Sequence, residues 1–380
     1  MYGFSKRSGW RRWSIAAGAA LIAVGSLAAC SGTGGGDATP PSTASSSETT
    51  SPDQMDALIA AAKKEGSITF YGTPEEAKVT AWVKDFTDQY GITVNIYRAP
   101  SVDVYQRFSQ EESAGRHEAD LVTLSVPNYI TDATNKGWAL DYTPQTADTF
   151  KKDFVGEGRA FPLYVTTHAI AWNTDKVSSA DSKAIIKDPY KAMLDPKYKG
   201  HIALVTAAAG GGQMSTYYNI VNNPDLGQDY LEKLAKQDPI VVTSAVTMAS
   251  DLAAGEYWIA FPSSDTTVWP QIQDGAPLEF SYTPNADSST HQMFISANAP
   301  HPNAARLFME WATSAKAQTS IANISGGAVA TSLWKDDREL IKEPWYKAPD
   351  QLSMEWATDP GFTNGVEELT NNWLTTFGQQ

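Results

Sequence analysis

Residues 67–97 read SITFYGTPEEAKVTAWVKDFTDQYGITVNIY, and the change of period inside this stretch decides the fold. Residues 67–71 form a short strand-like run, and Gly72-Thr73-Pro74 turns the chain. Val79, Trp82, Val83, Phe86 and Tyr90 then recur at helical spacing, Gly91 stops that helix, and residues 92–97 read as the next strand. Strand, helix and strand in succession argue for a parallel sheet with helices on its faces.

The pattern extends both ways. Upstream, Ser51-Pro52-Asp53-Gln54 offers a Ser N-cap, Pro at the first helical position and Gln three residues after the cap. Met55, Leu58, Ile59 and Ala62 share one face of that helix, which Gly66 ends. Downstream, residues 102–114 read as helix and 119–124 as strand, and Pro127 opens a helix ending near Gly137. A second alternating unit begins after Gly200: strand 201–206, a small-residue loop through Gly210-Gly211-Gly212, helix 213–221, strand 240–242, helix 245–254 and strand 257–261. Two such units predict two α/β lobes. Ligands of such sheets bind beyond the carboxyl ends of the strands. In the first unit that end carries Gly72-Thr73-Pro74, Ala99-Pro100-Ser101 and Ser125-Val126.

The chain has 380 residues, 42% of them hydrophobic, enough for two ordinary domains. A net charge of −14 with no basic patch argues against a nucleic-acid partner. The single cysteine, Cys30, rules out a disulfide within the chain and any zinc site built on several cysteines.

The first 14 residues carry Lys6, Arg7, Arg11 and Arg12 and no acid, and residues 15–29, IAAGAALIAVGSLAA, are uncharged. That apolar run is short of the roughly 20 residues a span needs, and its form is that of a secretory signal. Leu27-Ala28-Ala29-Cys30 resembles the bacterial lipobox, in which the cysteine is lipidated and becomes the first residue of the mature chain. Residues 1–29 are therefore expected to be a lipoprotein signal peptide. Residues 30–52 would be the lipidated cysteine and a Gly/Ser/Thr/Pro tether with a reach of roughly 25 Å. The modification would supply at least two acyl chains, enough for stable anchoring. The expected location is extracytoplasmic, on the outer face or periplasmic side of the cell membrane.

Four further stretches carry a resemblance: ALIAAAKKEGSITFYG (57–72), AGRHEADLV (114–122), FPLYVTTHAIAWNTDKV (161–177) and NAPHPNAARLFMEWATSAKAQ (298–318). In this order, behind a lipobox, they resemble the extracellular solute-binding proteins of bacterial ABC importers. The branch they are most similar to holds ferric-iron, phosphonate, thiamine and polyamine binders. The resemblance implies a periplasmic-binding-protein-like α/β fold of type II. Each lobe would be a mainly parallel sheet flanked by helices, joined by crossover hinge strands that close around a ligand. The crossings would fall near residues 163–170, 277–284 and 322–328. Lobe one would hold 53–162 plus 278–322, and lobe two 163–277 plus 323–380. It also implies a small-molecule solute, an ABC permease and ATPase as separate chains, no cofactor, no catalytic residues and a monomer.

Ferric-binding members of that branch use two adjacent tyrosines a few residues beyond a strand that starts Gly-Glu. Here the strand starts at Gly255-Glu256, and the tyrosine positions fall on Asp265 and Thr266. A hard trivalent cation wants anionic oxygen ligands, and two phenolates are missing. Tyr217-Tyr218 is an adjacent pair but lies within a predicted helix, where neighbours point about 100° apart. Iron is therefore the alternative, and a small anionic organic solute (a phosphonate, phosphate ester or carboxylate) the leading expectation.

Gly210-Gly211-Gly212 before a helix suits an anion, because free N–H groups and the helix dipole meet there, although it is equally readable as a plain flexible loop. Thr73, Ser125, Ser263 and Ser264 offer hydroxyls to the cleft or cap helices. His168 lies on the first crossover strand. Trp172 and Tyr282 are an aromatic wall or core. Glu75 and Asp265 are the carboxylates a cationic ligand would use. A secreted lipoprotein hydrolase is the competing class. However, Gly-x-Ser-x-Gly and His-Glu-x-x-His are both absent, and the five histidines are scattered.

Overall fold

The computed structural model describes residues 52–156, 159–209, 212–284, 287–349 and 352–379. The expected signal peptide, Cys30, the tether up to Ser51 and the loop glycines Gly210 and Gly211 lie outside the described residues. The strands are β1 (Ser67–Gly72), β2 (Thr93–Arg98), β3 (Leu121–Leu124), β4 (Phe161–Asn173), β5 (Ile202–Val205), β6 (Ile240–Val242), β7 (Ile259–Ser264), β8 (Leu278–Tyr282) and β9 (Ser288–Ile295). Helices α1 (Pro52–Glu65), α2 (Glu76–Tyr90), α3 (Ser101–Ser113) and α4 (Pro127–Asn135) accompany the first strands. Helices α5 (Ser179–Lys187), α6 (Pro189–Ala192), α7 (Gln213–Asn222), α8 (Gly227–Ala235), α9 (Ala245–Ala254) and α10 (Asp265–Gln273) accompany the middle ones. Helices α11 (Pro302–Ala312), α12 (Ala315–Ser325) and α13 (Pro360–Thr376) close the chain.

The strands hydrogen-bond in the order β2-β1-β3-β9-β4-β7-β5-β6, with β8 also on β4. Both outer groups, β2-β1-β3 and β7-β5-β6, are parallel, as helix-containing crossovers require. The middle is antiparallel: β9 runs against β3 and β4, and β4 against β7 and β8. The expected parallel character is thus confined to the outer strands, because a strand arriving from the other half enters without a βαβ crossover.

β4 joins the two halves. Residues from Phe161 to Thr167 pair with β9, and residues from His168 to Asn173 pair with β7 and β8. All thirteen of its positions are buried, as a central strand covered on both faces demands. After β8 the chain returns to the first half through β9. It passes a third time behind the sheet after Gly326, where the Val165 amide donates to the Ala328 carbonyl at 2.7 Å. Gly326 itself ends α12 with φ of 77°, the left-handed conformation that glycine adopts without strain.

Separate apolar clusters hold the halves. In the first, the helical face foreseen on α2 packs Trp82 and Phe86 against Phe308 and Trp311 of α11, with ring centroids 4.7–5.6 Å apart. On the other face of that sheet Tyr71, Phe108 and Phe294 form a second cluster. In the second half Trp172, Tyr217, Phe261 and Trp373 are core, as is a cluster of Tyr257, Trp269 and Phe280.

Candidate functional site

In an α/β sheet each parallel strand ends in a loop that starts the next helix, so helix N-termini gather at one edge. Here six strand ends meet across one cleft. From the first half come Thr73 after β1, Arg98 and Ser101 at the end of β2, and Ser125 after β3. From the second half come Gly212 at the start of α7, Ser244 at the start of α9, and Ser264 with Thr266 at the start of α10. They line a cavity of about 530 Å³, within the range of small-molecule sites. Tyr164, Thr166 and His168 of β4 and Ser289 and His291 of β9 also line it, and Trp356 and Phe362 bring an aromatic shelf from the C-terminal segment.

The hydroxyls are largely engaged. Ser101 Oγ and Ser125 Oγ are 2.8 Å apart, and the Ser125 amide donates to Ser101 Oγ at 3.1 Å. Ser244 Oγ caps α9 by accepting from the Thr247 amide. Ser264 Oγ lies 2.9 Å from Thr267 Oγ1. Thr73 Oγ1 and His291 Nδ1 share a hydrogen bond of 2.7 Å. Burial pushes the His291 imidazole down to about 3, helped by the positive fields of Lys78 and Arg98, so it is neutral near pH 7.

Three charged side chains line the first-half wall: Glu75, Lys78 and Arg98. Lys78 Nζ donates to the Thr266 carbonyl across the cleft at 2.6 Å and lies 3.3 Å from Glu75. Burial pushes its ammonium below the usual lysine range, against the opposing pull of Glu75. Arg98 is exposed and has no hydrogen-bond or ion-pair partner among the described residues. Two cations against one carboxylate leave that wall net positive.

Of the residues singled out from sequence, Thr73, Ser125, His168, Gly212 and Ser264 line the cavity. Ser263, Asp265 and Tyr282 do not. Ser263 precedes Ser264 on β7 and faces the opposite side, as strand alternation requires. Asp265 is fully buried behind the cleft, where Oδ1 accepts from the amides of Thr167 (3.0 Å) and Thr266 (2.8 Å) and Oδ2 from the Tyr282 hydroxyl (3.2 Å). Burial raises its carboxyl to about 6, and the Arg338 charge and these hydrogen bonds only partly oppose that. Trp172 is core rather than wall. The adjacent tyrosines are structural: the Tyr217 hydroxyl donates to the Val205 carbonyl at 2.6 Å and that of Tyr218 to Asp359 at 2.7 Å. Among the described residues no group of three or more His, Cys, Asp and Glu side chains is arranged to hold a metal ion.

Sequence reasoning missed Lys78, Arg98, Tyr164, Ser289 and His291. A signal for Arg98 existed, since it immediately precedes Ala99-Pro100-Ser101, already placed at the ligand end.

Two sheet-based halves, joined by a shared central strand and enclosing a polar cleft at the strand ends, define a binding protein of the periplasmic type. The chain belongs to the bacterial extracellular solute-binding proteins, whose family pattern it matches over residues 81–348. No curated protein is a significant sequence match. Among solved structures it is similar to iron-bound HitA from Pseudomonas aeruginosa, at 18% identity over 81% of this chain and 99% of that one, with a TM-score of 0.65. It is also similar to the substrate-binding protein of an ABC transporter from Agrobacterium tumefaciens, at 13% identity over 82% and 94% of the two chains and a TM-score of 0.68. AfuA from Actinobacillus pleuropneumoniae, solved with fructose-6-phosphate, gives 18% identity over 83% and 100% and a TM-score of 0.62. At these identities the likeness concerns the fold.

Proposed function

We propose that this chain is the substrate-binding component of an ABC importer and that its cleft captures a small anionic organic solute. It is anchored outside the cytoplasm through Cys30 and passes the solute unaltered to a separate permease and ATPase. The two halves, close to 53–162 plus 278–322 and 163–277 plus 323–380, swing about the crossing segments to close on the solute.

The observation that carries the anionic reading is the pairing of Lys78 and Arg98 with the starts of α3, α4, α7, α9 and α10 on one cavity. Helix N-termini and cations both favour negative charge. Fructose-6-phosphate in AfuA is an anion of this kind held on the same fold. The position of Asp265 behind the sheet, and of Tyr217 and Tyr218 away from the cleft, leaves a ferric ion without the expected phenolates.

Titration calorimetry tests the reading with inorganic phosphate, methylphosphonate, glycerol phosphate and citrate on one side and spermidine, thiamine and ferric iron on the other. At least one anion is expected to bind stoichiometrically, without turnover. Binding confined to spermidine or thiamine, or to ferric iron with a visible charge-transfer band, would overturn the anionic reading. Chemical change of any bound compound would overturn the transport reading.

A further inference from the structure

Across both walls the cavity has two unlike sides, and strand β9 divides them. Along one edge β9 pairs with β4, with Thr166 opposite Ser289. Thr166 Oγ1 lies 3.2 Å from Thr266 Oγ1, and the Thr266 carbonyl is the one that Lys78 holds. Lys78 and Arg98 both act on the His291 imidazole, so positive charge gathers on this side. Along its other edge β9 meets β3, with Leu124 opposite Gln292, and then the C-terminal segment. There the Ser288 amide donates to the Ser353 carbonyl, and Trp356 Nε1 to the Ser288 carbonyl, both at 2.8 Å. Because β3 runs antiparallel to β9, the chain leaving its end carries Val126 and Tyr129 toward that segment.

This second side is apolar. Trp356 and Phe362 pack with ring centroids 4.9 Å apart, and Val366 follows Phe362 one turn later on α13. Opposite them Tyr129 is held in place by stacking on Tyr105 at 4.7 Å and 9°. Val126, Tyr129 and Val366 are half-buried, so each presents apolar surface to the cavity it lines. Helices α4, α7 and α13 contribute no charged side chain to the lining; Glu75, Lys78 and Arg98 all follow β1 or end β2. Polar groups nearby are turned to the protein, the Trp356 indole to Ser288 and His168 Nδ1 to Asp287 at 2.7 Å.

Strands β4 and β9 separate Thr266 from Trp356, which at about 4.8 Å per strand sets the two sides on the order of 10 Å apart. A bare phosphate on the cations would leave the apolar side to water. A solute with an apolar body displaces that water, and such burial is the dominant favourable term in most association. Flat rings bury the most area per rotatable bond and pack favourably on Trp and Phe.

We propose, resting on the anionic reading above, that the solute is an aromatic acid. Its acidic group meets Lys78 and Arg98, and its ring lies between Val126 and Tyr129 on one half and Trp356, Phe362 and Val366 on the other.

Calorimetry on the whole folded chain tests this with pairs that share a headgroup: phenylphosphonate against methylphosphonate, and phenyl phosphate against inorganic phosphate. The ring-bearing member of each pair is expected to bind about tenfold more tightly, with a more negative heat-capacity change. Val366→Ser and Val126→Ser each make the apolar side more polar, one from each half. Val126 is the N-cap of α4, where serine is favoured, so the second variant keeps its helix start. Each variant should cut the phenyl-over-methyl preference about threefold, with a thermal melt to verify folding. Equal affinity within both pairs would overturn the proposal while leaving the anionic reading intact. A preference that neither variant reduces would overturn it too, because the ring would then lie elsewhere. If none of these compounds binds, nor glycerol phosphate or citrate, the anionic reading fails and the proposal with it.

Discussion

The two walls of the cleft hold their polar groups in opposite ways. On the first-half wall the charges are unsatisfied or only loosely paired: Arg98 is exposed and Lys78 shares its ammonium between Glu75 and the Thr266 carbonyl. The polar groups on the second-half wall are buried and tightly held, with His168 locked against Asp287 and Asp287 accepting from three hydroxyls. The difference separates attraction from recognition. Exposed charge acts over the Debye length and draws an anion in, at a strength that salt reduces. Buried donors act only at hydrogen-bond distance, are screened little, and set which anion fits.

The sharpest way to break this contrast is to fill the recognition wall. Gly212 has φ −66° and ψ −25°, which any residue adopts, so Gly212→Ala leaves the backbone unstrained. Its new methyl meets Ser289 Oγ, which can rotate away, and the His168 ring, which Asp287 pins. The overpacking lies within about 1–3 kcal/mol and must shift the start of α7 or the His168 ring, both of which line the cavity, so anion affinity should drop about 10- to 100-fold. Calorimetry would measure it, with a thermal melt to verify folding. Unchanged affinity would mean the anion does not sit against α7.

A smaller effect is expected on the attraction wall. Arg98→Ala removes a charged donor worth about 1.5–3 kcal/mol where it pairs, offset because the site is open to water. Affinity should fall about tenfold at low ionic strength, with a shallower dependence on salt than in the unmodified protein. An equal salt dependence in both would place the steering charge elsewhere.

The same contrast explains what the sequence reveals and what it conceals. The alternation of strands and helices is legible because it is local. Trp82 and Phe86 repeat at helical spacing, and Gly91 and Gly255 end their helices in the left-handed conformation that glycine permits. Since strand ends build the site, Thr73, Ser125 and Gly212 follow from the alternation alone. Lys78 is hidden, because a lysine in the first turn of an amphipathic helix reads as solvated surface until the opposite half supplies the Thr266 carbonyl. Asp287 is hidden for the same reason, its partners other than the nearby Thr283 being 71 to 119 residues away. The phase of β7 decides that Ser264 faces the cleft and Ser263 does not, and nothing local reports which side of a buried strand the cleft is on. The antiparallel centre of the sheet likewise depends on the direction from which β4 and β9 arrive.

Asp265 tests whether the wall's boundary is real, because it sits one residue from Ser264 and Thr266 yet points behind the sheet. If only groups facing the cavity govern capture, Asp265→Asn should leave anion affinity within about twofold, since the amide can still accept from the two backbone N–H groups. Stability should change instead. The folded carboxyl is raised from 3.8 to about 6, so between those values the folded state holds more protons than the unfolded one. The Asp265 contribution is therefore fully present below about pH 4 and is lost as pH rises through about 6, a change on the order of 3 kcal/mol by linkage. The melting temperature of the unmodified protein relative to Asp265→Asn should decline from pH 4 to pH 6.5 and then level off. A difference that is flat with pH would mean the carboxylate is compensated by Arg338 in the fold. A large loss of anion affinity would move the boundary of the recognition wall behind β4.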